Sequence, residues 1–314
     1  MKVICYNRYG GIDRLQFEEF PSPEPGSQQV LVRVAAAAIN PIDWKTREGQ
    51  VRWVYPLKFP VIPGQDFCGT VHACGEGVSG FKPGERVCGM SNQRGGGALA
   101  ELCLCGADAL AHVPEGMRDE EAAGLPLAGL TALQGLRDHG RMKSGHRVLV
   151  VGASGGVGHL AVQIARNYGA RVSAVCGPDN VAWVSELGPE KVINYREEGW
   201  VRRAGTFDLI FDAVGTLGFR RSLDILKKGG SYVTTLPGLA IFINQLLGGP
   251  LLRRRARTFL ARPSGADLQE LLAAWKKDRL DVRIDRIWNW KDYSQAFARS
   301  ESGHAKGKIV LAFG

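Results

Sequence analysis

A short apolar run, a glycine-rich turn and an amphipathic segment follow one another without a break between Val148 and Tyr168. Val148, Leu149, Val150 and Val151 show no polar alternation, which is how a strand covered on both faces of a parallel sheet reads. The turn is Gly152-Ala153-Ser154-Gly155-Gly156-Val157-Gly158. Val157, Leu160, Ala161, Ile164, Ala165 and Tyr168 then return at helical spacing, so one face of a helix is apolar. Strand, turn and helix in this order make the first half of a dinucleotide-binding βαβ unit. The turn has the form A-x-G-x-x-G, with Ala153 in the place of the fingerprint's first glycine. Gly155 lets the backbone approach a pyrophosphate, and Gly158 lets helix and strand pack closely. The helix start offers its N–H groups to the phosphates.

The chain on either side of this unit is written in two grammars. Residues 1–118 are rich in short strand signals punctuated by glycine and proline: KVICY, LQFEEF, QVLVRVAAAAIN, FCGTVHACG, ERVCGM and ALAELCLCG. Pro41 suits the first position of a short helix ending near Gly49. From Asp119 helices and strands alternate: RVLVV, RVSAVC, KVINY, DLIFDAVG and GSYVTTL, with helices over 156–168, about 180–187 and about 217–227. That alternation predicts a parallel sheet covered on both faces, with ARTFLA (256–261) as its last strand. The tail reads helix (265–277), strand (282–288), helix (291–299) and strand (308–313), and is expected to pack back on the first domain.

A length of 314 residues suits two domains, and no apolar window is long enough to span a membrane. The opening residues, MKVICYNRYGG, lack a secretory or transit pattern, so a cytoplasmic location is expected. Seven scattered cysteines read as buried thiols in a reducing compartment. The net charge of +9 is compatible with nucleic acid, a membrane surface or an anionic cofactor. Part of it is Arg253-Arg254-Arg255 with Arg257, after the apolar stretch 238–252. This segment reads either as a peripheral contact with anionic membrane or as a loop lining a cleft or dimer seam. The Gly248-Gly249-Pro250 break favours the second. Only Phe259 lies near the arginines, so the nucleic-acid signal is weak.

At this point the chain resembles the medium-chain dehydrogenase/reductases, in the zinc-independent quinone oxidoreductase and enone reductase branch related to zeta-crystallin. The resemblance rests on INPIDWK (39–45), FPVIPGQDFCGTV (59–71), GERV (84–87), GALAEL (97–102), LPLAGLTAL (125–133), the glycine turn, INY (193–195), FDAVG (211–215), LKKGGSYV (226–233) and GHAKGKIVL (303–311), in the family's order. It implies an α/β protein: a Rossmann doubly wound parallel sheet (119–261) and a GroES-like β-rich catalytic domain (1–118, with 262–314 returning to it), the substrate lying in the cleft between them. It also implies a homodimer joined through ARTFLA. Zinc-dependent members carry a cysteine, then Gly-His-Glu, then a later cysteine. Here Asn40, Gly64-Gln65-Asp66 and the thiol-free segment 125–131 stand there, so no zinc is expected. The missing ligands also disfavour an alcohol or ketone dehydrogenase. A nucleotide-regulated binding protein with little turnover is the reading from another class.

The resemblance implies an NADPH-dependent reductase of quinones or α,β-unsaturated carbonyls, with NADH as a weaker cofactor. The cofactor would lie on Ser154, Gly155, Gly156, Val157 and Gly158, near Thr131, under loops carrying Val214 and Leu236, with His304 and Lys306 closing on it. Cys176 ends the second strand where NAD enzymes carry an acid for the ribose, and Asp179 and Asn180 follow. Tyr195 matches the family tyrosine that touches the 2′-phosphate; a packed strand-end aromatic is its other reading. For catalysis, Asn40, Asp43 and Lys45 are the polar cluster the resemblance brings to the substrate: Asn40 as a donor, Asp43 orienting Lys45, and Lys45 facing developing negative charge. Lys45 has two further readings, a contact to the nicotinamide ribose and a solvated first-turn charge.

Overall fold

The run QVLVRVAAAAI puts Val30, Val32 and Val34 into one core and forms the long strand on which half of the molecule is built. The computed structural model describes residues 1–53, 55–236, 241 and 253–313, and the chain divides into two units. The first comprises Met1–Leu127, Pro263–Lys276 and the residues from Val282 on.

In the first unit β1 (Lys2–Cys5) and β2 (Gln16–Glu19) form an antiparallel pair. β3 (Gln29–Ile39), β4 (Asp66–Cys74), β5 (Arg86–Met90), β6 (Leu102–Gly106) and β7 (Leu110–His112) follow in chain order. The tail strands β14 (Ile284–Asn289) and β15 (Lys308–Ala312) join them, giving the order β14-β15-β3-β4-β5-β7, with β6 also paired to β3. The tail therefore does return to the first domain: β15 lies antiparallel to β3, with Ile309 opposite Ile39 and Ala312 opposite Ala36. The helix Asp119–Gly124 packs on β3, β4 and β15, so the residues up to Leu127 belong to this unit and not to the second.

The second unit spans Ala128–Arg262 and Lys277–Asp281. Its strands are β8 (Arg147–Val151), β9 (Arg171–Cys176), β10 (Lys191–Asn194), β11 (Phe207–Asp212), β12 (Leu226–Thr234) and β13 (Arg255–Thr258). All pair in parallel in the order β10-β9-β8-β11-β12-β13. The order reverses between β8 and β11, so the C-terminal ends of these two strands flank the crevice where doubly wound sheets bind ligands. The helix Gly158–Asn167 is buried from Gly158 to Ala165, beyond the apolar face expected of it. Its polar Gln163 is satisfied by the strap 277–281: its side chain donates to Asp281 O at 2.9 Å and accepts from Asp281 N at 2.7 Å.

Several elements depart from expectation. The helix expected over 217–227 is one turn, Phe219–Ser222, because β12 already begins at Leu226 opposite Phe207. ARTFLA extends only to Thr258, because Phe259 leaves the strand to stack on His139 at 4.3 Å between ring centroids. β7 and the single turn Trp200–Arg203 are too short to show a periodic pattern. Apart from Ile241, the apolar part of the 238–257 segment, and Pro237 beside Leu236, lie outside the described residues.

Candidate functional site

Gly152 leaves β8 at φ +80°, a left-handed conformation that favours glycine. A Cβ on Gly158 would stand 2.0 Å from Gly152 O, so the helix start and the strand end touch through backbone alone. Gly155 differs: the nearest atom to its added Cβ is Gly152 O at 3.5 Å, so nothing inside the fold requires glycine there. Its bareness leaves the outer side of the turn open to a ligand.

The neighbouring strand ends converge on the same edge. Cys176 is buried, and its carbonyl accepts from Tyr195 N at 3.1 Å. The Tyr195 side chain is half exposed and leans over Gly177, where a Cβ would meet the hydroxyl at 3.2 Å. Asn180 begins the helix Val181–Glu186 and accepts from Trp183 Nε1 at 3.1 Å. Val214 folds over Gly152 and Leu236 over Gly215, and both remain partly exposed. Asp212, which ends β11 just before the loop that carries Val214, turns inward. Its carboxylate accepts from the N–H groups of Val214, Gly215, Leu217 and Gly218 and from Tyr232 Oη at 2.8 Å. It builds the loop that displays Val214. Thr131 is buried in the helix Pro126–Gln134.

The polar cluster of the first unit is arranged differently from expectation. β3 pairs with β15 on one side and β4 on the other, so the ends of all three strands meet. Lys308 opens β15 and Asp66 opens β4. Lys308 Nζ donates to Asn40 Oδ1 at 2.5 Å and to Asp66 Oδ2 at 3.1 Å, with both charged side chains buried. Asn40 Nδ2 donates to Asp66 Oδ2 at 2.9 Å and to Ala38 O at 3.3 Å. Both amide protons of Asn40 are thus used inside the fold, and its role as a substrate donor gives way to that of a buried connector.

Asp43 is corrected as well. Among the described residues no hydrogen bond or ion pair joins it to Lys45. Its Oδ2 accepts from Asn40 N at 2.8 Å, closing a capping box on the helix Pro41–Arg47, while Oδ1 is buried without a partner. Lys45 is half-buried, with Nζ 5.4 Å from the Trp44 ring centroid. Lys308 is thus paired with Asp66 alone and acts on Asp43 only through its charge. Burial, with Asp66 nearby, pushes the Asp43 carboxyl up to about 7 against the Asn40 N–H and Lys308. Burial also pushes Asp66 up, while Lys308, Asn40 and the Leu127 N–H pull it back. His304 and Lys306 lie in the exposed turn before β15, held through backbone bonds to Arg299 Nη2 and Asp285 Oδ1.

Comparison with known proteins places both halves. The family described as "Alcohol dehydrogenase GroES-like domain" matches residues 26–115, and that described as "Zinc-binding dehydrogenase" matches 187–311. The chain is 34% identical over 322 residues to the chloroplastic quinone-oxidoreductase QR1 of Triphysaria versicolor, covering 99% of this chain and 98% of that one. It is 33% identical over the same coverage to the chloroplast envelope quinone oxidoreductase homolog of Arabidopsis thaliana. Among solved structures, the quinone oxidoreductase from Coxiella burnetii matches with a TM-score of 0.91 at 32% identity, over 100% of this chain and 99% of that one.

The chain belongs to the medium-chain dehydrogenase/reductase superfamily, in its quinone oxidoreductase branch. It is a nicotinamide-dependent oxidoreductase. The Escherichia coli quinone oxidoreductase complexed with NADPH is similar over the whole of both chains, at 27% identity and a TM-score of 0.86. The glycine turn of this medium-chain reductase fits such a cofactor, since Gly155 is bare on its outer side and the buried helix begins directly behind it. A catalytic zinc does not fit. The matching positions hold Asn40 and Gln65, and Asn40 Oδ1 already accepts from the Lys308 ammonium, whose charge would repel a metal ion. Among the described residues no three His, Cys, Asp or Glu side chains form a group able to hold one.

Sequence reasoning missed Lys308 as a member of this buried cluster and met Asp66 only as a failed zinc-site position. The available signal was a charged residue opening each of two apolar strands, KIVLA and DFCGTV.

Proposed function

We propose that this reductase transfers hydride from NADPH to a quinone or an α,β-unsaturated carbonyl compound without zinc. The observation that carries this reading is the nearly full-length similarity to quinone oxidoreductases, together with a glycine turn left bare on its outer side at Gly155. Bound NADPH supplies the hydride. Ser154, Gly155, Gly156, Val157 and Gly158 hold the pyrophosphate, and the Val214 and Leu236 loops cover the nicotinamide half. Cys176 withholds the acid that would favour NADH, and the Tyr195 hydroxyl beside Gly177 meets the 2′-phosphate. Lys45 faces the carbonyl oxygen as negative charge builds on it, and solvent supplies the proton. The buried set Asn40, Asp66 and Lys308 holds the start of the Lys45 helix in place.

The reading includes a homodimer. β13 ends the sheet of the second unit, and an edge strand left open is a pairing liability. Two copies joined edge to edge would close it.

The test is a turnover screen of quinones and enones with NADPH and NADH side by side, with elemental analysis of the same sample. Turnover of at least one of the two classes, faster with NADPH and insensitive to chelators, is expected. Failure of every member of both classes, or one zinc per chain with chelator-sensitive turnover, overturns the reading.

A further inference from the structure

The strand that ends this sheet is charged in an unbalanced way. Arg255 and Arg257 are two residues apart on β13, so they share one face, while Ala256 between them is buried in the core on the other. Arg141 and Arg257 lie close enough to Arg255 that, after burial, their repulsion pulls its guanidinium below the ordinary range. Arg257 and Arg262 act on His139 in the same direction. Arg255 donates only to neutral acceptors, Ser231 Oγ and Gly229 O, each at 3.2 Å. Among the described residues Arg141, Arg255, Arg257 and Arg262 form no ion pair, and Asp138, the acid beside His139, is engaged by Arg137 at 2.7 Å. The sequence from Pro237 to Leu252 contains no Asp or Glu that could answer them.

The proposed homodimer sharpens the imbalance, and the inference rests on it. Antiparallel edge-to-edge pairing of two β13 strands, about a twofold axis normal to the sheet, would put Arg255 and Arg257 of both copies on one face, and a register that sets this short stretch against its own copy would bring them to cross-strand spacing. Like charges directly opposite each other destabilise a sheet. Guanidinium groups gathered in this way match an oxyanion, which each of them can bind through two N–H groups. We propose that a multivalent oxyanion, inorganic phosphate or a phosphate chain, binds at the dimer seam between Arg255 and Arg257 of the two copies, flanked by Arg141, and that edge pairing depends on it. Neither copy holds the complete site alone.

The experiment is sedimentation of the full chain at micromolar concentration in phosphate-free, low-salt buffer without cofactor. Inorganic phosphate, inorganic triphosphate and sodium chloride at matched ionic strength are then added separately. Phosphate or triphosphate is expected to tighten dimerisation by about tenfold or more relative to chloride, because paired guanidinium–phosphate bonds are stronger than screening. The stronger of the two anions identifies the source, a single phosphate or a chain. Arg255→Gln/Arg257→Gln, checked for folding by its melting curve, should dimerise without responding to either anion. Equal responses to chloride and phosphate, or a wild-type dimer indifferent to every addition, overturn the anion site while leaving the dimer standing. If neither wild type nor the double variant dimerises under any condition, the edge dimer itself is wrong and the anion site falls with it.

Discussion

Lys308 and Asp66 form an ion pair of 3.1 Å with both side chains out of water, although 242 residues separate them in the chain. Asn40 bridges the two, accepting from the ammonium and donating to the carboxylate. A buried pair is weak evidence of stability by itself, because desolvation offsets the attraction. Its evident role is geometric: it ties the ends of β3, β4 and β15 together where the Lys45 helix begins.

Removing one partner is nevertheless costly, since the other is left charged and dry. Lys308→Met should lower unfolding stability by about 3–5 kcal/mol. The double variant Lys308→Met/Asp66→Asn should recover part of that loss. Urea denaturation of the single and double variants checks this, and strictly additive losses would remove the coupling.

The Asp43 carboxyl titrates at about 7 in the fold, against 3.8 as its ordinary value. The folded state therefore holds a proton that the unfolded chain releases. The stability tied to that proton is fully present below about pH 4 and is lost as pH rises to about 7. Asp43→Asn should flatten this part of the curve. Urea midpoints for both proteins between about pH 4 and 8 test it; parallel curves would show that Asp43 does not carry the proton.

Tyr195→Phe should weaken NADPH by about tenfold or more, the loss of one hydrogen bond to a charged group, and leave NADH nearly unchanged. Asp179→Arg should strengthen NADPH, because the turn Pro178–Asn180 follows Gly177 directly, beside the Tyr195 hydroxyl. Fluorescence titration with both cofactors decides it. Equal losses for NADPH and NADH would remove the 2′-phosphate contact.

Lys45→Ala should lower kcat by about ten- to a thousandfold, by analogy with the loss of one oxyanion donor. NADPH affinity should change little. Single-turnover hydride transfer and cofactor titration on the same variant separate the outcomes. A loss of NADPH affinity with normal turnover at saturation would make Lys45 a ribose contact, and no change in either would leave it a surface charge.

The glycine turn, the two-domain order, the return of the tail and the absence of zinc-ligand residues at the matched positions were all legible in the chain. Each is a local pattern: apolar runs, glycine spacing, residue types at fixed offsets. Glycine at position 158 is dictated by a contact only six residues back, with Gly152 O. The roles of Asn40, Asp43 and Asp212 were not legible. Whether a polar side chain faces a ligand or the core depends on which strands flank it. Asn40 became a connector because β3 has Asp66 on one side and Lys308 on the other. Asp212 became a loop organiser because Tyr232 and four backbone N–H groups close around it. Sequence determined which segments form strands and where a dinucleotide turn lies, because backbone preference and apolar spacing act over a few residues. Only the tertiary structure decided which charges are buried together, because that pairing is made by strands distant in the chain.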